Sequence, residues 1–182
     1  GYIITVGSDL KGCKGAVELA EKHGFIYASI GIHPHEVKDI TDETYSTIRS
    51  LLKNKKVVAY GEIGLDYHYE HSPKDIQIKR FREQIQIAKE YNLPLIIHSR
   101  DAKDEAVRII KEEKAERLGG VFHCFGGDLG LAKKVVDMGF YISFSGTLTF
   151  PKALEAQNIA REIPIESILI ETDCPYLAPQ PV

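Results

Sequence analysis

The sequence predicts an α/β fold, a parallel sheet with covering helices closed into a TIM-type (β/α)8 barrel. Three observations predict it. Short apolar runs alternate with longer amphipathic stretches along the 182 residues. Within the runs the apolar residues are consecutive more than alternating, as expected when both faces of a parallel sheet are covered. A residue suited to metal binding or proton transfer stands at the end of five runs: His33, Glu62, His98, His123 and Asp173. A barrel gathers the C-terminal ends of its strands on one face, where its chemistry sits. An open sheet would concentrate its site at one switch point instead, so five such residues favour the barrel.

The elements follow in order. Strands are expected over residues 3–6, 26–32, 57–61, 95–98, 120–123, 140–144 and 168–171. Helices are expected over 12–22, 42–53, 75–91, 102–114, 129–138 and 152–161. The clearest helix is 75–91, where Ile78, Phe81, Ile85 and Ala88 repeat on one face. Gly24 and Gly139 stand where a left-handed cap would close the first and fifth helices. Pro73 precedes the third helix, and Pro94 opens a strand where a missing N–H is tolerated. The longest irregular segment, 65–74, is rich in Tyr and His, and a loop that long in an α/β unit is more often functional than idle.

Composition narrows the classes. The chain carries 23 Lys+Arg against 26 Asp+Glu, a net charge of −3, with 43% hydrophobic and 27% charged residues. These values exclude a disordered tail, a collagen-like rod and a small disulfide scaffold. A pI near 6.2 argues against a broad nucleic-acid surface. It is compatible with an enzyme that holds one phosphate through a metal. No apolar run approaches the roughly 20 residues of a membrane span, so no membrane partner is expected. No secretory leader is visible. The three cysteines, Cys13, Cys124 and Cys174, are odd in number, far apart and without a CxxC pair. A reduced, cytoplasmic setting is expected, with the thiols as small, partly buried residues.

Taken singly, a strand-end His or Glu is more often a hydrogen-bonded structural residue or a solvated rim group. Together, two imidazoles and two carboxylates make a hard-to-borderline ligand set that suits Zn²⁺, Mn²⁺ or Mg²⁺. Arg100, two residues past His98, is placed to pair with a phosphate, although exposed strand-end arginines are common. Gly126 and Gly127 lack the full phosphate-loop pattern and read better as a turn. Ser99 and Ser145 sit in no recognisable nucleophile motif. Tyr67, His68, Tyr69 and His71 could line a base- or sugar-binding lip, or equally form a solvated loop with aromatic anchors.

Five segments then carry a family resemblance: Gly31-Ile32-His33-Pro34-His35, Gly61-Glu62-Ile63-Gly64-Leu65-Asp66-Tyr67, His98-Ser99-Arg100, His123-Cys124-Phe125, and the run from Glu171 through Thr172, Asp173, Cys174, Pro175 and Tyr176 to Leu177. In order and content they resemble the signatures of the TatD family of metal-dependent deoxyribonucleases, amidohydrolase-like TIM barrels. The resemblance implies a site with two divalent metal ions (Mg, Mn or Zn) that hydrolyses phosphodiester bonds of DNA, from an end. It implies that Glu62 bridges the metals, that His98 and His123 hold one of them, and that Asp173 binds the other and orients or deprotonates the attacking water. Glu62 and Asp173 are thus the expected catalytic residues. His33 is expected to contact substrate, as is Arg100. His35 is left out of the metal set, because Pro34 turns the chain between the two histidines.

The family's first-strand His-x-His has no counterpart here, since the segment from Gly1 matches the family's second strand. A barrel of this type needs about 250 residues. Residues 1–182 are therefore expected to be one barrel domain lacking the first strand and the C-terminal helix. DNA or another phosphodiester is the expected partner, and no protein partner is assignable. Two other readings stay open: a metal-dependent esterase or amidohydrolase such as an aminoacyl-tRNA deacylase, and a non-catalytic barrel acting as a binding protein.

Overall fold

The computed structural model describes residues 1–181. It is an α/β fold with seven parallel strands, the class the sequence predicts. The chain divides into two compact units, one from Gly1 to Leu118 and one that starts at Gly119.

The first unit carries strands β1 (Ile3–Gly7), β2 (Ile26–Ile30), β3 (Val57–Asp66) and β4 (Leu95–Arg100). Helices α1 (Leu10–Lys22), α2 (Asp42–Leu51), α3 (Lys74–Tyr91) and α4 (Lys103–Glu112) alternate with them. The strands pair in sequence order, all parallel, with Ile3 opposite Ile26 and Gly64 opposite His98. Each helix start has a local cause. The Asp9 carboxylate accepts the Gly12 N–H at 2.6 Å and caps α1. Thr41 and Thr44 exchange side-chain and backbone bonds in a capping box at α2, with Asp42 and Glu43 in its first turn favouring the positive end of the helix. Pro73 precedes α3, and Asn92 closes it in the left-handed conformation, φ 52°.

The core of this unit is built from fully buried Ala28, Ile30, Ile63, Leu65, Leu95 and Ile97 on the strands and Phe81, Ile85, Ile109 and Ile110 on the helices. Each large apolar side chain so enclosed contributes about 1.5–3 kcal/mol. Helix α3 departs in one respect from its apolar periodicity. Phe81, Ile85 and Ala88 are buried as the spacing predicts, but Ile78 is only half-buried, and Gln77 and Gln84 are fully buried. These two glutamines stand two turns apart and satisfy backbone groups that the strands leave unpaired. Gln84 bonds both the N–H and the carbonyl of Ile32, at 2.9 and 3.0 Å. Gln77 accepts from the Asp66 N–H at 2.8 Å and donates to the carbonyls of Asp66 and Ser72. The chain is therefore clamped just past β2 and at the end of β3, where the residues of chemical interest begin.

The second unit carries β5 (Gly120–Phe122), β6 (Phe140–Phe144) and β7 (Ile168–Ile170), parallel and in order, with α5 (Leu129–Asp137) and α6 (Leu154–Glu162) between them. Asp128 caps α5 by accepting the Leu131 N–H at 2.8 Å. Gly139, at φ 84°, ends that helix region as predicted. Phe122, Phe140, Ile142, Val135 and Ile159 form this unit's interior.

Three expectations need correction. Gly24 is not left-handed: α1 ends on His23 in extended conformation, and Gly24 and Phe25 form a turn in which the Ile26 N–H donates to the His23 carbonyl at 3.2 Å. Strand β3 runs on to Asp66 rather than stopping at Gly61, so Glu62 lies inside a strand and the irregular loop is shorter than 65–74. Strand β2 stops at Ile30, because Gln84 takes over the backbone groups of Ile32.

The extension of β3 depends on glycines. A Cβ on Gly61 would lie 2.4 Å from the Ile96 carbonyl oxygen, and one on Gly64 would lie 2.0 Å from that of His98. Gly64 also holds φ 143°, which side-chain-bearing residues rarely adopt. Gly64→Ala is expected to lower the unfolding free energy by about 3 kcal/mol in urea denaturation. Gly15→Ala, in the open on α1, is expected to be neutral or to stabilise by about 0.5–1 kcal/mol. Equal effects of the two substitutions would refute this account of the strand contact.

Candidate metal centre

Among the described residues each unit carries one group of histidine and carboxylate side chains whose ligand-type atoms lie within 4.8 Å of one another: His33, Glu62 and His98 in the first, His123, Glu171 and Asp173 in the second. All six residues are half-buried.

In the first unit Glu62 projects from the middle of β3 and His98 from β4. The His98 Nδ1 is 2.9 Å from Glu62 Oε1, and its Nε2 is 3.0 Å from Asp66 Oδ2. Asp66 is 1% exposed and is the most enclosed carboxylate of the group. It accepts four bonds: the backbone N–H groups of His68 and Tyr69 on Oδ1, both at 3.0 Å, and the rings of His35 and His98 on Oδ2, at 2.9 and 3.0 Å. Burial alone would push its carboxyl up, but the bonds from His98, the Tyr69 N–H and His35 outweigh burial and hold it well below the usual carboxylate range. Asp66 is therefore an ionised acceptor. Its claim on the His98 Nε2–H leaves Nδ1 facing the Glu62 carboxylate, an edge that needs a shared proton or a cation. A metal-ligating histidine whose other ring nitrogen donates to a carboxylate has this arrangement, so the donor set fits a divalent ion.

His33 belongs to the same group by distance, with Nε2 3.5 Å from Glu62 Oε1. Burial, against the pull of the Glu62 carboxylate, pushes its imidazole down to about 3, so it is neutral near pH 7. Its Nδ1 accepts the His35 N–H at 3.2 Å. The ring proton is therefore on Nε2, which makes that edge a donor towards Glu62 or a bound anion rather than a free ligand lone pair. His35 donates to Asp66 and lies outside the metal-capable group. Arg100, at the end of β4, is exposed, with its guanidinium 4.7 Å from the centroid of the Tyr69 ring.

In the second unit His123 follows β5, while Glu171 and Asp173 follow β7. The His123 Nδ1 is 3.5 Å from Glu171 Oε2 and 3.9 Å from Asp173 Oδ1. The Glu171 N–H donates to the Phe144 carbonyl at 3.2 Å and so continues the ladder from β6. Its Oε1 is buried and has no hydrogen-bond partner among the described residues. A buried carboxylate oxygen without a donor is costly, and a cation held beside His123 and Asp173 would satisfy it. Beside this group, burial pushes the Cys124 thiol up, which keeps it protonated and fits the inert role expected for it.

Of the residues predicted from sequence, Glu62, His98 and His33 fall in one group and His123 and Asp173 in the other, while Arg100 belongs to neither. Two carboxylates were not anticipated, Asp66 and Glu171. The signal for Asp66 was a charged residue closing an otherwise apolar and glycine run. The signal for Glu171 was a glutamate two residues before an expected ligand, at the end of the same strand.

Comparison with known proteins places these groups in context. A family profile described as TatD-related DNase matches residues 1–182. The chain is 50% identical to YabD of Bacillus subtilis, described as an uncharacterized metal-dependent hydrolase, over 98% of this chain and 70% of that protein. It superposes on the crystal structure of the Escherichia coli TatD homologue YjjV with a TM-score of 0.91 and 33% identity, over 99% of this chain and 70% of that one. A TatD-family hydrolase of Entamoeba histolytica gives a TM-score of 0.87 at 30% identity, over 97% of this chain and 61% of that one. These superpositions carry the TIM-type fold class.

Asp66→Asn should leave the circular dichroism spectrum unchanged and weaken Mn²⁺ binding by about 10- to 100-fold in competition with a fluorescent chelator. Unchanged affinity would show that Asp66 does not act through His98.

Proposed function

Because the chain belongs to the TatD family of metal-dependent hydrolases, we propose that it hydrolyses phosphodiester bonds of DNA, working from an end. The observation that supports this reading is the mixed imidazole and carboxylate make-up of both groups, in which Asp66 backs His98 and a buried Glu171 oxygen lacks a donor. Soft thiolate ligation is absent from both groups. Hard-to-borderline donors of this kind suit Mg²⁺, Mn²⁺ or Zn²⁺, and two such ions are the proposed cofactors.

Glu62 and His98 would hold an ion in the first unit, and His123 and Asp173, with Glu171, in the second; this grouping follows the distances within each unit and differs from the bridging Glu62 and the shared His98 and His123 ion that the family resemblance implies. When bound, such an ion polarises a phosphoryl oxygen and lowers the pKa of water. The remaining work falls to the chain. Asp173 orients the attacking water and takes its proton on a carboxylate oxygen. His33, neutral and protonated on Nε2, donates to a phosphate oxygen. The Arg100 guanidinium pairs with the phosphate charge at the exposed end of β4. Hydrogen bonds from four donors keep Asp66 from competing for the ion. We place the protein in the cytoplasm. Its three cysteines are free thiols, which fits a reducing compartment. No helix among the described residues is long and apolar enough to cross a membrane.

The test is a comparison of rates on a dinucleotide diester and an aminoacyl ester, with Mg²⁺, Mn²⁺ and Zn²⁺ in turn. The diester is the expected substrate, and Glu62→Ala should lower its rate by about 100-fold or more. Faster turnover of the aminoacyl ester, or a Glu62→Ala variant that matches the parent, would overturn the proposal.

A further inference from the structure

One residue of the segment that follows β3 differs from its neighbours. His71 and Pro73 are exposed, but Ser72 between them is fully buried. Burying a serine gains little apolar contact, and its hydroxyl has to be satisfied inside. It is satisfied twice, and both partners lie in the segment that follows β2. The Lys38 N–H donates to Ser72 Oγ at 3.2 Å, and the Ser72 hydroxyl donates to the His35 carbonyl at 2.8 Å. Two further bonds fix the backbone around the serine. Gln77 donates to the Ser72 carbonyl at 2.8 Å, and Lys38 Nζ donates to the His71 carbonyl at 3.1 Å.

The residue that Ser72 holds is one step from a site residue. His35 is gripped at its carbonyl by Ser72 and at its ring by Asp66, and its own N–H donates to His33 Nδ1 at 3.2 Å. Pro34, between the two histidines, has no N–H to offer. The Glu36 N–H closes the turn on the His33 carbonyl at 2.9 Å. The donor that reaches the His33 ring is therefore the one on His35, and its aim depends on how His35 is held. An Nδ1 that accepts a hydrogen bond leaves the ring proton on Nε2. That edge faces Glu62, 3.5 Å away.

We propose that Ser72 is a positioning residue for His33: by holding the His35 carbonyl it aims the His35 N–H at Nδ1, and so keeps the His33 proton on Nε2, ready for a phosphate oxygen of the substrate. Without the serine hydroxyl, His35 loses one of its two anchors and Nδ1 loses a fixed donor. The ring then populates both tautomers, and one of them turns a lone pair towards an anion instead of a proton. The serine acts across two segments that meet only through such bonds, so its role is invisible to any local motif. The substrate half of this inference rests on the phosphodiester reading above.

The test pairs a spectroscopic readout with kinetics. Nuclear magnetic resonance of the metal-free protein with isotope-labelled histidine reads the His33 tautomer without substrate, and turnover of a dinucleotide diester in Mg²⁺ reads its effect. The parent should show His33 as the Nε2–H tautomer alone, and Ser72→Ala should show both tautomers. Ser72→Ala should also raise KM for the diester by about tenfold and leave kcat within about twofold, because the phosphate charge is contacted before and during reaction alike. In a His33→Ala background the same substitution should add nothing to the loss. Ser72→Cys, which nearly keeps the shape and weakens both hydrogen bonds, should shift the same signals, and it replaces Ser72→Ala if that variant does not fold. His33 signals that stay unchanged in the serine variants, or an equal rise in KM in both backgrounds, would overturn the proposal. A parent without diester turnover would overturn the phosphodiester reading, and the His33 signals would then decide the positioning role alone.

Discussion

A single enclosed carboxylate, Asp66, sets the geometry of the first unit's site. It is 1% exposed and accepts bonds from two ring nitrogens and two backbone N–H groups. An ionised carboxylate removed from water is tolerated only when its lone pairs are satisfied. Four donors do so here, and each is thereby fixed in place. His98 is turned so that its Nδ1 edge meets Glu62. His35 is held beside His33. The backbone at His68 and Tyr69 is drawn inward, which sets where the following aromatic segment leaves the strand. Loss of this carboxylate would free all of these groups at once.

The helix behind the sheet makes that arrangement possible. Gln77 and Gln84 spend side-chain amides on the backbone at Asp66 and Ile32, so the chain can leave both strands without stranding buried N–H and carbonyl groups. Glycines at positions 61 and 64 remove the Cβ atoms that would strike β4, and this lets β3 continue far enough to carry both Glu62 and Asp66. Metal-binding chemistry in this unit therefore depends on residues that bind no metal: two glutamines, two glycines and one aspartate. In the second unit a shorter set of strands brings His123, Glu171 and Asp173 together, and the buried Glu171 oxygen marks where charge is left to be neutralised.

Much of this was legible in the sequence. Seven apolar runs became seven parallel strands and six amphipathic stretches became six helices, because burial on both faces of a sheet and on one face of a helix leaves different periodicities. The strand-end residues Glu62, His98, His123 and Asp173 stood out as polar groups where an apolar run stops. The limits are equally specific. Gly24 looked like a helix cap, but a glycine after a helix need not be left-handed, and here α1 already ends at His23. Strand β3 runs past the expected stop at Gly61 because the glycines at 61 and 64, which interrupt the apolar run, allow close contact with β4. Asp66 and the two buried glutamines were missed because apolar periodicity gives polar residues no weight on a buried face. Their roles depend on tertiary partners, 11 residues apart for Gln77 with Asp66 and 52 for Gln84 with Ile32.

The most direct measurement is an anomalous-difference map from crystals soaked in Mn²⁺. The account predicts a peak in bonding contact with Glu62 and His98, with Asp66 outside bonding distance and still bound to the His98 Nε2. A peak ligated by Asp66 itself, or no peak at Glu62 and His98, would contradict it.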